Sequence, residues 1–167
     1  MDRDVYLLHQ TPSECAKDLL AFVPLVEGDI LLEPFKGEGA FFNAFPDTHV
    51  KLWAELNEGV DYTTITEPYD WVITNPPFQL DTGNKKVNSF WFLIDYYSTR
   101  ARKGIVFLAN DRCFCTLTPR RMELLHSRGW GITKIVVSSI KKWRGRYFFI
   151  MLEKNKPSVI HHLTTNY

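Results

Sequence analysis

Long apolar runs are missing from this sequence. No stretch approaches the ~20 residues of a membrane-spanning helix, and residues 1–10 hold no basic segment followed by an apolar one. Neither a membrane span nor a secretory leader is therefore expected. Cysteine is scarce: three in 167 residues do not make a disulfide framework, and they fit a reducing, cytoplasmic setting. Internal repeats, low-complexity tracts and linker-like segments are absent as well, so a second domain is not expected. What is present is 45% hydrophobic, 14% aromatic and 23% charged residues, which excludes disordered, collagen-like and coiled-coil classes. The length suffices for one compact domain, residues 1–167, with a substantial core.

A net charge of +1 hides a polarised chain. Residues 1–99 carry 6 Lys/Arg against 16 Asp/Glu, whereas residues 100–146 carry 12 against 2. Such a split fits a basic surface for a polyanion, and it equally fits a set of solvated helix faces.

The first helix is expected to open at Thr11-Pro12-Ser13-Glu14. Thr11 stands as N-cap, Pro12 at the first helical position and Glu14 closes a capping box, with an end near Val23. Asp29 to Glu33 reads as a buried strand that stops at Pro34 and enters a loop with Gly37 and Gly39. Ala40 to Ala44 opens a helix, Val50 to Glu55 is a second strand and Trp71 to Thr74 a third. Residues 79–87 are polar and are expected to form a mobile loop. Residues 88–102 have helical periodicity, with Phe92, Tyr96 and Thr99 on one face, and Phe90, Leu93, Ile94 and Tyr97 flanking it. Another buried strand covers Gly104 to Ala109, and Thr118-Pro119 starts a helix that ends before Gly129. Ile132 to Ile140 and Tyr147 to Glu153 then form a terminal antiparallel pair. Strands alternating with helices predict an α/β sandwich with a mainly parallel sheet.

In open α/β sheets, ligands bind beyond the carboxyl ends of the strands. Three groups of residues fall there. Glu33-Pro34-Phe35-Lys36-Gly37-Glu38-Gly39 follows the first strand, and its glycines let backbone pass close to a ligand. Glu55 ends the second strand 22 residues later, a spacing at which acids commonly grip ribose hydroxyls. Asn75-Pro76-Pro77-Phe78 ends the third, where two prolines remove backbone donors and stiffen the turn. Each alone has an ordinary structural explanation. Their combination in this order leaves such explanations little room.

On these residues the chain resembles the class I S-adenosylmethionine-dependent amino-methyltransferases, over roughly Leu7 to Leu108 and more weakly through the C-terminal strands. Leu32 to Gly39 looks like the cofactor motif of that family, and Asn75-Pro76-Pro77-Phe78 like its catalytic motif. The resemblance implies a Rossmann-like methyltransferase sandwich with an antiparallel C-terminal strand, S-adenosylmethionine as cofactor and no metal. Glu33 and the backbone at Gly37 and Gly39 would hold the methionine part of the cofactor, Pro34 and Phe35 would also belong to the cofactor site, and Glu55 would accept both ribose hydroxyls. Asp61 and Tyr62 sit where the family places its adenine contact. The segment around His9, Gln10, Thr11 and Pro12 resembles the one that covers the cofactor carboxylate. Because the interval from Glu55 to Asn75 is short, the helix and strand usually found there are expected to be trimmed.

The same resemblance implies methyl transfer to adenine N6, cytosine N4 or a protein glutamine, with adenine N6 in DNA preferred over RNA. A conjugated exocyclic amine is a poor nucleophile. Hydrogen bonds from its two hydrogens to the Asn75 side-chain oxygen and the Pro76 carbonyl would localise its lone pair, and Phe78 would stack on the base. Lys85 and Lys86 follow the motif. Arg112, Arg120 and Arg121 lie further on, and Lys141-Lys142-Trp143-Arg144-Gly145-Arg146 mixes an aromatic with cations as a phosphate-binding loop does; a solvated hairpin turn would read the same way. Cys113 and Cys115 have no second pair or nearby His and are expected to be structural. With no room for a separate target-recognition domain, specificity would come from short loops, a second copy or a recognition subunit. That economy resembles small methyltransferases of phages and mobile elements. Two other readings are a protein glutamine methyltransferase and a non-catalytic subunit of a heteromeric enzyme.

Overall fold

A computed structural model describes residues 10–143 and 145–163 of the chain. Helix α1 spans Ser13–Leu20, β1 Ile30–Glu33, α2 Ala40–Ala44, β2 Val50–Trp53 and β3 Trp71–Thr74. These are followed by β4 (Gln79–Asp81), β5 (Lys86–Asn88), α3 (Ser89–Ser98), β6 (Gly104–Asn110), α4 (Pro119–Ser127), β7 (Trp130–Ser138) and β8 (Tyr147–Lys154). Six strands form one sheet in the order β2-β1-β3-β6-β8-β7. The first four are parallel, and β8 runs antiparallel to both β6 and β7. This is the doubly wound arrangement that the alternating pattern predicts, with the expected antiparallel strand.

Successive residues of the central strands serve opposite faces, as the twofold period of a strand requires. Leu32, Val72, Ile105 and Phe107 meet Phe90, Leu93, Ile94 and Tyr97 of α3, and Met122 and Leu125 of α4. Leu31, Ile73, Val106 and Leu108 meet Ala16, Leu19 and Leu20 of α1, and Phe41 of α2. The sheet is therefore the middle of three layers. Its amino edge is pinned by charge: buried Asp29 takes the Val26 amide and the Trp71 indole N–H, each at 2.9 Å, and pairs with Lys103. Next to it, Asp70 accepts the Ile30 amide at 2.9 Å and pairs with Arg102 at 3.1 Å.

Several local expectations need correction. Residues 79–88 are a β-hairpin, in which Leu80 pairs with Val87, turning through Gly83 at φ 82°. The Asp81 carboxylate accepts the Gly83 amide at 2.8 Å and the Lys85 carbonyl accepts the Thr82 amide at 3.1 Å, so the polar residues build the turn. Helix α1 starts at Ser13 with Pro12 as N-cap and no side-chain cap, and it stops at Leu20, short of Val23. In α3 the buried stripe is Phe90, Leu93, Ile94 and Tyr97; Phe92 and Tyr96 are half-buried, and the helix ends at Ser98. Helix α4 begins as read, Thr118 accepting the Arg121 amide ahead of Pro119. Between β2 and β3 the chain makes two 3-10 turns, Leu56–Glu58 and Tyr62–Thr64, and no further strand, so β2 is a sheet edge.

Candidate active site

The four parallel strands deliver their carboxyl ends to one side of the molecule, and the predicted site residues gather there. Glu33 closes β1 and is buried, with the Phe42 amide donating to it at 2.5 Å. Burial pushes its carboxyl well above the usual range. The Phe42 hydrogen bond and the Lys36 charge oppose that rise, whereas Glu55 adds to it. The chain then passes buried Pro34 and half-buried Phe35 and turns through Gly37 and Gly39, at φ 53° and 84°. Both angles lie in the left-handed region that glycine alone adopts without strain. Gly39 is also the N-cap of α2.

Glu55, just past β2, ties this loop down. One carboxylate oxygen accepts the Gly37 amide at 2.7 Å, and the other accepts the Asn57 amide at 3.1 Å. The Gln10 side chain lies across the same turn, accepting the Glu38 amide at 3.1 Å, and a Cβ on Gly37 would come within 2.5 Å of its oxygen. Asp61 caps the second 3-10 turn by accepting the Thr63 amide and hydroxyl at 2.8 and 2.6 Å. Tyr62 follows it, with its ring 5.1 Å from that of Phe35 and its phenol pushed up by burial. The Phe35–Tyr62 contact thus joins the glycine loop to the Asp61–Tyr62 turn.

At the end of β3, Asn75 is half-buried, Pro76 buried, Pro77 half-buried and Phe78 39% exposed. Ser89, at the start of α3, holds this turn: its hydroxyl donates to the Pro77 carbonyl and its amide to the Phe78 carbonyl at 3.2 Å. Nothing in the local sequence marks Ser89 for that task, since it reads as an ordinary first helical residue. The Asn75 Nδ2 donates to the Thr11 hydroxyl at 3.2 Å, so Thr11 reaches the Asn-Pro-Pro-Phe turn and does not cap α1. His9 and Arg144 lie outside the described residues.

The cations face the same way. Residues 139–146 join the end of β7 to the start of β8, and the Asn110↔Tyr147 register puts this connection at the carboxyl end of β6. Lys141, Lys142 and Arg146 are exposed there, as are Lys85 and Lys86 on the hairpin that leaves Phe78. Trp143 needs correction: it is 8% exposed, belongs to the core beneath the sheet and packs on Tyr147 at 4.6 Å. A ring so committed has no face for a base. A groove of about 230 Å³, which sequence reasoning missed, runs between the hairpin and α4, lined by Val87, Asn88, Trp91, Phe92, Thr116 and Arg121 among others. Of its lining, Arg121 stands out in the sequence as a cation and Trp91 as an α3 tryptophan that the buried stripe leaves out. Cys113 is buried, with its thiol pushed up to about 12 by burial, and Cys115 is exposed.

No protein-family model matches this sequence, and no curated protein matches it either. Solved structures do share its fold. A provisionally assigned RNA methyltransferase from Pyrococcus horikoshii superposes with a TM-score of 0.64 at 18% identity, over 90% of this chain and 89% of that one. The Mtq2–Trm112 complex of E. cuniculi, responsible for methylation of the eRF1 termination factor, matches with a TM-score of 0.60 at 18% identity, over 89% of this chain and 99% of that one. A type I restriction-modification methyltransferase subunit from Streptococcus thermophilus gives 0.62 at 18% identity, over 89% of this chain; the chain spans only 45% of that subunit. At these identities the likeness is one of fold, and the fold is the one these methyltransferases share.

Proposed function

We propose that the chain is an S-adenosylmethionine-dependent methyltransferase acting on the exocyclic N6 of adenine in nucleic acid, DNA ahead of RNA. The observation that carries this reading is the placement of Asn75-Pro76-Pro77-Phe78. It follows buried β3 beside the Glu33–Gly39 loop of β1 and Glu55 just past β2, on the edge where a class I methyltransferase fold binds its ligands. The donor set fits the cofactor. Two left-handed glycines keep side chains out of the loop. Glu55 keeps one backbone donor on each oxygen, which leaves lone pairs for hydroxyl groups. Glu33 offers a desolvated carboxyl to a cation, and Phe35 and Tyr62 offer an aromatic wall to a base.

When bound, the cofactor supplies an electrophilic methyl group. The protein's part is to hold and orient the amine. Asn75 Oδ1 and the Pro76 carbonyl accept its two hydrogens and localise the nitrogen lone pair. Ser89 fixes the turn that carries both groups, and Phe78 presents an exposed ring for a base drawn out of its stack. Exposed cations on the hairpin and on the β7–β8 connection hold phosphates. Target choice would then rest on these short loops or on a partner subunit.

A second reading is methylation of a protein glutamine side chain. The match to the eRF1-methylating enzyme over 99% of that chain and the burial of Trp143 favour it. One experiment separates the two. The purified chain is incubated with methyl-labelled S-adenosylmethionine and, in parallel, duplex DNA, single-stranded DNA, RNA and a protein extract, and the labelled product is identified after digestion. Label in N6-methyladenine of DNA is expected, and Asn75→Ala should abolish it with cofactor affinity within about twofold of wild type. Label in methylglutamine would replace the first reading with the second. Equal transfer by Asn75→Ala would sink both.

A further inference from the structure

Thr11 stands where a helix cap stands in sequence, yet no side chain caps α1. Its hydroxyl is spent 64 residues away, accepting Asn75 Nδ2 at 3.2 Å. That contact has a chemical consequence, because a carboxamide is planar with one donor end and one acceptor end. With the nitrogen end on Thr11, the oxygen end faces away from it. A target amine needs an acceptor; turned through 180°, Asn75 would set its own N–H groups against those of the substrate. We infer that Thr11 is a positioning residue which holds the Asn75 carboxamide with Oδ1 towards the amine, an inference that rests on the proposed amino transfer.

The surroundings suit the task. Pro12 has φ −62° and its carbonyl accepts the Ala16 amide at 3.0 Å, so Thr11 is joined to a rigid first turn. Ala16, Leu19 and Leu20 bury that helix against the sheet that carries Asn75. Asn75 is thereby held from two sides: by the strand it ends and by a segment that precedes the first strand.

The test compares Thr11→Val, which keeps the shape and removes the acceptor, with Thr11→Ser, which keeps the hydroxyl, in the full chain. Thr11→Val should lower kcat for methyl transfer to an adenine-containing oligonucleotide about five- to tenfold, the worth of one neutral hydrogen bond. KM and the calorimetric Kd for S-adenosylmethionine should stay within about twofold, and Thr11→Ser should recover most of the rate. Independently of activity, the Asn75 side-chain amide resonances, assigned by their loss in Asn75→Asp, should move in Thr11→Val and stay in Thr11→Ser. Unmoved resonances would overturn the contact. A raised cofactor Kd with unchanged kcat would overturn the role and give Thr11 to the cofactor carboxylate. A wild type that methylates no amine overturns the functional reading and with it the role, and the resonances still report whether Thr11 holds Asn75.

Discussion

Two buried acids of this chain have opposite fates, and the difference separates structure from function. Burial pushes the Asp29 carboxyl up, but hydrogen bonds from Lys103, the Val26 amide and Trp71 outweigh it and leave the group below its usual range. Among the described residues the Phe42 amide is the one direct donor to Glu33, and burial wins. A carboxyl with its folded pKa raised binds a proton in the native state that the unfolded chain has already released. Stability from this group is therefore full below the unfolded value and is lost as pH climbs to the raised one, at up to about 1.4 kcal/mol per pH unit. Glu33→Gln should melt higher than wild type at pH 8 and alike near pH 4, and it should bind S-adenosylmethionine much more weakly at pH 8, with the deficit shrinking towards pH 4 where Glu33 is itself neutral. Wild-type affinity, in turn, should rise with pH as Glu33 ionises towards a cationic ligand. Melting curves and titration calorimetry across this range check both halves; equal melting at pH 8 would mean that Glu33 is not held under strain.

At the scale of elements, β3 and β6 meet through a glycine that has no turn to make. Gly104 pairs with Trp71, and a Cβ placed on it would lie 2.0 Å from the Trp71 ring, which is buried and anchored through its indole N–H to Asp29. The ring cannot yield without breaking that bond, so Gly104→Ala should cost about 1–3 kcal/mol, the usual penalty of overpacking. Urea unfolding measures it, and a loss below about 0.5 kcal/mol would show that the strands part easily. Neither partner in this contact announces itself in sequence, because it depends on strand register. The same limit explains what was and was not legible. Strand β3 and the Thr118-Pro119 helix start were readable because pattern and punctuation are local. The 79–88 hairpin was not, because only Leu80 and Val87 alternate inward and its ends are fixed by Ser89 and Asn88. Thr11 carried every local sign of a cap; a tertiary contact with Asn75 took its hydroxyl instead.

Across the whole molecule, the two edges of the sheet divide the work. The amino edge holds paired charges, Asp29 with Lys103 and Asp70 with Arg102, whereas the carboxyl edge holds Glu33, Glu55 and Asn75 with unburied cations around them. The Glu33–Gly39 and Asn75–Phe78 segments could be placed at strand ends because the sequence punctuates them with Pro and Gly, whereas Glu55 follows β2 with no such mark. The cations were legible only as a count, since which edge they face depends on the antiparallel return of β8. That return puts Lys141, Lys142 and Arg146 on the side of Asn75 and gives the charge count a testable meaning. Each phosphate contact removed should flatten the dependence of log affinity on log salt by about 0.9 for duplex DNA. Replacing exposed Lys85, Lys86, Lys141, Lys142 and Arg146 together by Gln should therefore reduce the slope by up to about 4.5. Substitutions at such sites leave folding within about 0.5 kcal/mol each, so the variant remains a fair comparison. Fluorescence anisotropy of a labelled adenine-containing duplex between 50 and 200 mM salt, about the range over which phosphate contacts dominate, reads the slope. A slope equal to that of wild type would place the nucleic acid elsewhere, and a flat wild-type slope would move the case to a protein substrate, whose neutral glutamine amide releases no counterions.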